Sequence, residues 1–135
     1  MNQNQINQEL AKIKSWYKHN WPLCIFCNHR VKGGQLAHLI RRSYTRGNLH
    51  ILKLNTGLAH HDCHELFDNN MTQAQYLPRM VEVLYIIWTQ DKEYFNQIAD
   101  NFPELTPAIE QFPNVPIMPL EYHGELLSLQ YLLQF

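Results

Sequence analysis

The sequence predicts an α+β protein in which helices flank a small core rich in cysteine and histidine. Apolar residues recur at helical spacing near the start of the chain and again between residues 73 and 99. All three cysteines and six of the eight histidines fall between residues 23 and 64. The 135 residues suit one compact domain and are too few for a Rossmann pair or an α/β barrel.

The N-terminal segment, residues 1–21, predicts one helix. Apolar residues from Ile6 to Tyr17 fall on a single helical face, and Trp21-Pro22 ends the pattern. Residues 2–9 are rich in asparagine and glutamine, so we expect them to fray. Beyond this helix, the short apolar runs Ile25-Phe26 and Leu49–Leu54 are typical of a small hairpin.

The C-terminal half predicts two further helices. A long helix from about Gln73 to Ala99, within segment 73–101, would have Pro78 in its first turn, where a missing N–H costs little. The last segment, 102–135, begins with a proline-rich connector that is extended or rich in turns. It ends in Leu120–Phe135, whose leucines predict a short apolar helix that packs on the body of the protein or on a partner.

Charge divides the chain into two halves. Residues 1–61 carry nine Lys or Arg and one acid, Glu9, whereas residues 62–135 carry two bases and eleven acids. The basic half favours a surface that binds a polyanion, although it could equally pack against the acidic half. No apolar run approaches a membrane span, and the first residues lack the features of a signal peptide, so we expect a cytoplasmic protein without membrane contact.

The cysteines indicate a metal site. Cys24 and Cys27 form a Cys-x-x-Cys pair, and His60 and Cys63 repeat that spacing 33 residues later. Four such ligands predict a closed tetrahedral Cys₃His site for structural Zn²⁺, with no coordination position left for a catalytic water. His61 or His29 could replace His60. A redox pair is the alternative for Cys24 and Cys27, but no thioredoxin-like βαβ pattern surrounds them.

Between and after these pairs lie Ala37-His38, Asn55 and Cys63-His64. Their order and spacing resemble the HNH endonucleases of the ββα-metal (His-Me finger) fold over residues 24–70. That family has a histidine on a hairpin strand, an asparagine in the loop and a histidine on the next helix. The details are most similar to phage recombination nucleases of the NinG/Rap group. The resemblance therefore implies a zinc-bound nuclease core at 22–72.

The resemblance also implies a role for each residue. His38 would be the general base, which suits an imidazole. Asn55 would pin the loop that holds His38, although Asn48 could serve instead. His64 would bind a catalytic Mg²⁺ or Mn²⁺. Asp68 lies four residues later on the same helical face, and this spacing makes it a candidate second ligand. Many family members carry an acidic metal ligand directly before the base histidine, whereas this chain has Ala37.

Basic residues surround His38 in the sequence. Guanidinium and ammonium groups suit phosphate oxygens, and they would position DNA without reading its bases. The candidate DNA-binding residues are Arg30, Lys32, Arg41, Arg42, Arg46 and Lys53.

The expected function is metal-dependent cleavage of DNA that is recognised by shape or structure. The resemblance implies that the protein is a phage or prophage nuclease that acts on recombination intermediates or branched DNA in the host cytoplasm. Partners could include a second copy of the chain or a phage recombination or packaging protein. One alternative is a non-catalytic, zinc-stabilised DNA-binding or scaffold protein. Another makes the acidic residues 62–135 a protein-binding arm.

Overall fold

The computed structural model describes residues 2–41, 55–114, 121–122 and 125–126, and in these ranges the protein is a mixed α+β structure. Helix α1 spans Gln3–Asn20. It starts before the predicted face because Asn2 and Gln5 form a capping box. The Asn2 side chain accepts from the Gln5 N–H and the Gln5 side chain accepts from the Asn2 N–H, both at 2.9 Å. The structure therefore includes residues 3–9, which were expected to fray, in a capped helix.

A two-stranded antiparallel sheet lies at the centre of the chain. Strand β1, Gln35–His38, pairs with strand β2, Thr56–Ala59, in a register that sets Gln35 opposite Ala59 and His38 opposite Thr56. These are not the apolar runs that predicted the hairpin. Ile25-Phe26 lies in a turn, where the Ile25 N–H donates to the Leu58 carbonyl of β2 and the Phe26 carbonyl accepts from the Arg79 N–H. Leu49–Leu54 lies outside the described residues.

Helix α2, His61–Asn69, follows β2 after a single residue, His60. Such a short connection makes the chain turn back, so α2 packs against β1. Phe67 on the buried face of α2 contacts Phe26, with ring centroids 4.8 Å apart. Tyr17 of α1 contacts strand β2, since its buried hydroxyl donates to the Thr56 carbonyl at 2.7 Å. The strands and α2 are therefore held in one fixed arrangement.

The single long helix predicted over Gln73–Ala99 is wrong. The chain forms α3 at Met71–Ala74, α4 at Met80–Gln90 and α5 at Lys92–Asn101. Pro78 lies in the turn before α4. Proline has no N–H to donate and its ring clashes with a preceding helical turn, so α3 does not continue through it. Asp91 separates α4 from α5 because its backbone is extended and its side chain accepts from the Tyr94 N–H at 3.0 Å, which makes it an N-cap.

The last described elements are short. A 3₁₀ turn at Pro103–Leu105 leads into α6 at Thr106–Ile109, and a second 3₁₀ turn follows at Phe112–Asn114. Strands β3, Glu121–Tyr122, and β4, Glu125–Leu126, then pair antiparallel. The helix predicted from Leu120 is therefore wrong at these strands, because a spacing of two residues that includes a glycine suits a tight hairpin. Residues 127–135 lie outside the described ranges.

The core contains apolar side chains from the cysteine-bearing turn, the sheet region and α4. Among them are Ile25, Phe26, Leu39, Leu58, Leu84 and Ile87. Among the helices that the structure describes, none has the length and apolar character to cross a bilayer.

Candidate functional site

The four predicted zinc ligands meet at the start of α2. Cys24 and Cys27 come from the turn before β1, His60 is the residue before α2, and Cys63 lies in its first turn. Their ligand atoms all lie within 4.8 Å of one another. Ligands on a tetrahedral ion with Zn–S bonds of about 2.3 Å are separated by about 3.8 Å. The donor set and its spacing fit a structural zinc site.

Backbone hydrogen bonds shape the turn that carries the first two cysteines. The Cys24 N–H donates to the His29 carbonyl, and the Asn28 N–H donates to the Cys24 carbonyl, both at 2.8 Å. Asn28 takes a left-handed φ of 64°, a conformation that asparagine tolerates better than most residues. The Ile25 N–H donates to the Leu58 carbonyl at 2.8 Å, which ties this turn to β2. The cysteines are thus preorganised for binding.

The structure selects His60 rather than His61 or His29 as the fourth ligand. The His60 Nδ1 lies 3.3 Å from the Cys27 sulfur, while its Nε2 lies 3.1 Å from the Arg30 carbonyl. A carbonyl can only accept, so Nε2 carries the hydrogen and Nδ1 offers its lone pair to the cluster, as in many zinc sites. His61 instead contacts Gln35, and His29 is exposed outside the cluster.

The three thiols differ in how easily they ionise. Burial opposes ionisation of Cys24, but backbone N–H groups of Cys27, His60 and Phe26 outweigh it and lower its pKa. Burial raises the pKa of Cys27. Burial also raises the pKa of Cys63 to about 12, and negative charge on the other two cysteines adds to this effect. Three thiolates this close together need a cation between them, which agrees with a metal-binding role.

A cleft of about 390 Å³ is lined in part by His64, the residue that directly follows Cys63 of the cluster. His38 at the end of β1 faces it together with His64 and Asp68 of α2, and Arg41 and Asn69 complete its lining. His38 and His64 are both partly buried. The structure therefore brings the strand histidine and the helix histidine, which the sequence predicted as partners, to one surface.

Both ring nitrogens of His64 have partners. Nδ1 lies 2.8 Å from Oε1 of Gln35, and Nε2 lies 2.9 Å from Oδ2 of Asp68. The distance between Nε2 and Oδ2 is that of a hydrogen bond or ion pair between the two side chains.

Asn55 is completely buried and supports the segment that follows His38. Its side-chain oxygen accepts from the Ile40 N–H at 2.8 Å, and its side-chain nitrogen donates to the Ile40 carbonyl at 3.2 Å. Its own carbonyl accepts from the Leu39 N–H at 2.9 Å. These three bonds fix the two residues directly after His38. Asn48, the alternative, lies outside the described residues.

The predicted DNA-binding residues do not form one group among the described residues. Arg41 lines the cleft, and its guanidinium donates to the Asp68 carbonyl at 2.7 Å. Arg30 and Lys32 are exposed in the segment between Cys27 and β1 and do not line the cleft. Arg42, Arg46 and Lys53 lie outside the described ranges.

Sequence reasoning missed Gln35, which contacts two histidines of α2. A glutamine three residues before a histidine carries no signal by itself, because the contact depends on how α2 packs against β1. Sequence reasoning also could not predict that Ala37 is fully buried.

No protein-family model, curated protein or solved structure matches the chain.

Proposed function

We propose that the protein is a metal-dependent endonuclease that hydrolyses DNA phosphodiester bonds with an HNH-type site. The observation that carries this proposal is the shared cleft of His38, His64 and Asp68, next to a Cys₃His cluster. A strand pair followed at once by a helix supplies these side chains, which is the arrangement that the resemblance to the ββα-metal fold implies.

The residues of the cleft suit the steps of phosphodiester hydrolysis. His38 can accept the proton of a water that attacks phosphorus. His64 and Asp68 would hold Mg²⁺ or Mn²⁺, which supplies charge stabilisation for the phosphate and the departing oxygen. Arg41, whose exposed side chain lines the same cleft, can bind a non-bridging phosphate oxygen. These contacts read the backbone, so we propose that DNA is recognised by shape.

The position before His38 bears on the cation. Many HNH proteins have an acidic ligand there, whereas Ala37 here is completely buried. A carboxylate at that position would need space in the core and would lose its water contacts. The proposed cation site therefore uses His64 and Asp68 from α2 and takes its remaining ligands from water and substrate.

The test is a nicking assay on supercoiled plasmid with Mg²⁺ or Mn²⁺. We expect His38→Ala to lower the rate by about 10²–10⁴-fold, the usual contribution of a general base. His29→Ala is the matched control, because this histidine is exposed and lies outside both the cluster and the cleft. Zinc content should be the same in all three proteins. Equal conversion to open circles by wild type and His38→Ala, or no conversion by either, would contradict the proposal.

A second candidate is a non-catalytic zinc-stabilised protein that binds DNA or serves as a scaffold. Ala37 favours it, since only two described side chains, His64 and Asp68, converge on the candidate cation. This candidate predicts DNA binding that is unchanged by His38→Ala and independent of divalent cation, with no nicking. A gel-shift titration run beside the nicking assay separates the two candidates.

A further inference from the structure

Gln35 on β1 connects two histidines of α2 through the two ends of its amide. Its Oε1 lies 2.8 Å from Nδ1 of His64, and its Nε2 lies 3.0 Å from Nδ1 of His61. On its other side, each histidine faces a carboxylate one helical turn later. His61 Nε2 lies 3.4 Å from Glu65, and His64 Nε2 lies 2.9 Å from Asp68.

The directions of these hydrogen bonds follow from the orientation of the Gln35 amide, whose oxygen faces His64 and whose nitrogen faces His61. The amide nitrogen of Gln35 can only donate, so Nδ1 of His61 must accept, and the hydrogen of neutral His61 lies on Nε2, toward Glu65. The amide oxygen can only accept, so Nδ1 of His64 must donate. If the Gln35 amide were turned over, its nitrogen would donate to Nδ1 of His64. A neutral His64 would then carry its hydrogen on Nε2, where it would point at Asp68.

The consequence concerns the other nitrogen of His64. With its hydrogen on Nδ1, a neutral His64 presents a lone pair on Nε2, 2.9 Å from a carboxylate oxygen of Asp68. Two acceptors at that distance repel each other unless a proton or a metal cation lies between them. The orientation of the Gln35 amide therefore decides whether Nε2 faces Asp68 as an acceptor, which leaves it available to a cation, or as a donor.

We infer that Gln35 is a positioning residue that selects Nε2 of His64 as the cation-binding atom, with His61 fixing the orientation of the Gln35 amide. The inference rests on the proposed function, because it concerns the same cation site. Gln35 lies on the same short strand as His38, so β1 carries both the proposed base and the residue that orients the proposed ligand.

Two substitutions test the role of the amide in the zinc-loaded protein. Gln35→Met keeps a similar length and removes the acceptor, so we expect Mn²⁺ affinity to fall by about 10–100-fold, the usual effect of losing a hydrogen-bond partner of a metal ligand. Gln35→Glu keeps an acceptor for Nδ1 of His64 and should retain most of the affinity. Gln8→Met, on the exposed surface of α1, is the matched control and should leave the affinity unchanged.

Mn²⁺ binding is measured by the electron paramagnetic resonance signal of free Mn²⁺. ¹H–¹⁵N spectra of the histidine rings report which nitrogen of His64 is protonated, a readout that a general loss of stability would not shift. We expect Nδ1–H in wild type and in Gln35→Glu, and a mixture of both forms in Gln35→Met. His61→Ala should give the same change as Gln35→Met but to a smaller extent, because it frees the amide to turn over.

The outcomes separate the inference from the proposed function. Mn²⁺ affinity that is equal in wild type and Gln35→Met, or His64 with Nε2–H in wild type, would overturn the role of Gln35 and leave the cation site standing. A wild-type protein with Nδ1–H on His64 but no Mn²⁺ site would overturn the proposed cation site instead, while the hydrogen-bond chain from Gln35 to His64 would stand.

Discussion

Removing the Asn55 side chain should destabilise the protein by about 3 kcal/mol. Alanine at this position leaves the N–H and the carbonyl of Ile40 without their partners, and both Asn55 and Ile40 are completely buried. A buried polar group left unsatisfied costs about 1–3 kcal/mol, so two such groups cost about 2–6 kcal/mol. The lower half of that range applies because a water molecule can enter the space that the amide leaves.

The measurement is urea unfolding of the zinc-loaded protein, with the free energy of unfolding compared between wild type and Asn55→Ala. Asn96→Ala is the matched control, because Asn96 is exposed on α5 and its loss should change stability by less than about 0.5 kcal/mol. Asn55→Asp should be at least as harmful as Asn55→Ala, since it keeps an acceptor for the Ile40 N–H but turns an oxygen toward the Ile40 carbonyl and buries a charge. A loss below about 1 kcal/mol in Asn55→Ala would refute the argument that this amide holds the segment after His38.

Three further predictions concern the cluster, its bound zinc, and the contact of its turn with β2. Cys63→Ser should lower the zinc content, measured by a colorimetric assay, below one ion per chain, whereas the control His29→Ala should leave it at one. Full zinc retention by Cys63→Ser would show that Cys63 is not a ligand. A strong chelator should lower the thermal midpoint of the wild type, because zinc binding contributes to folding. Gly57→Ala should cost about 1–3 kcal/mol in urea unfolding, since a Cβ there would lie 2.8 Å from the Cβ of Ile25, and an unchanged unfolding midpoint would show that the turn and β2 can separate without cost.

The sequence was most informative where interactions are local. The face from Ile6 to Tyr17 predicted α1 because residues three and four apart lie on the same side of a helix. The spacing of Cys24 and Cys27, repeated by His60 and Cys63, predicted the cluster because a short turn fixes how far apart two ligands can lie.

Where competing local signals had to be weighed, sequence reasoning failed. The apolar pattern from residue 73 to 99 continues through Asp91, and periodicity alone does not show that this side chain caps a new helix. The leucines after residue 125 favoured a helix from Leu120, whereas the structure forms strands at Glu121–Tyr122 and Glu125–Leu126. In both cases the apolar pattern was compatible with two backbones.

The sequence by itself determined the residue types of both candidate centres, because thiols, imidazoles and carboxylates have characteristic chemistry wherever they lie. Tertiary structure alone decided which of these residues meet. Gln35 reaches His64 from 29 positions away, and Ala37 faces the core, because the pairing of β1 with β2 and the packing of α2 fix their directions. Such contacts depend on strand register and helix packing, and neither is encoded in the spacing of neighbouring residues.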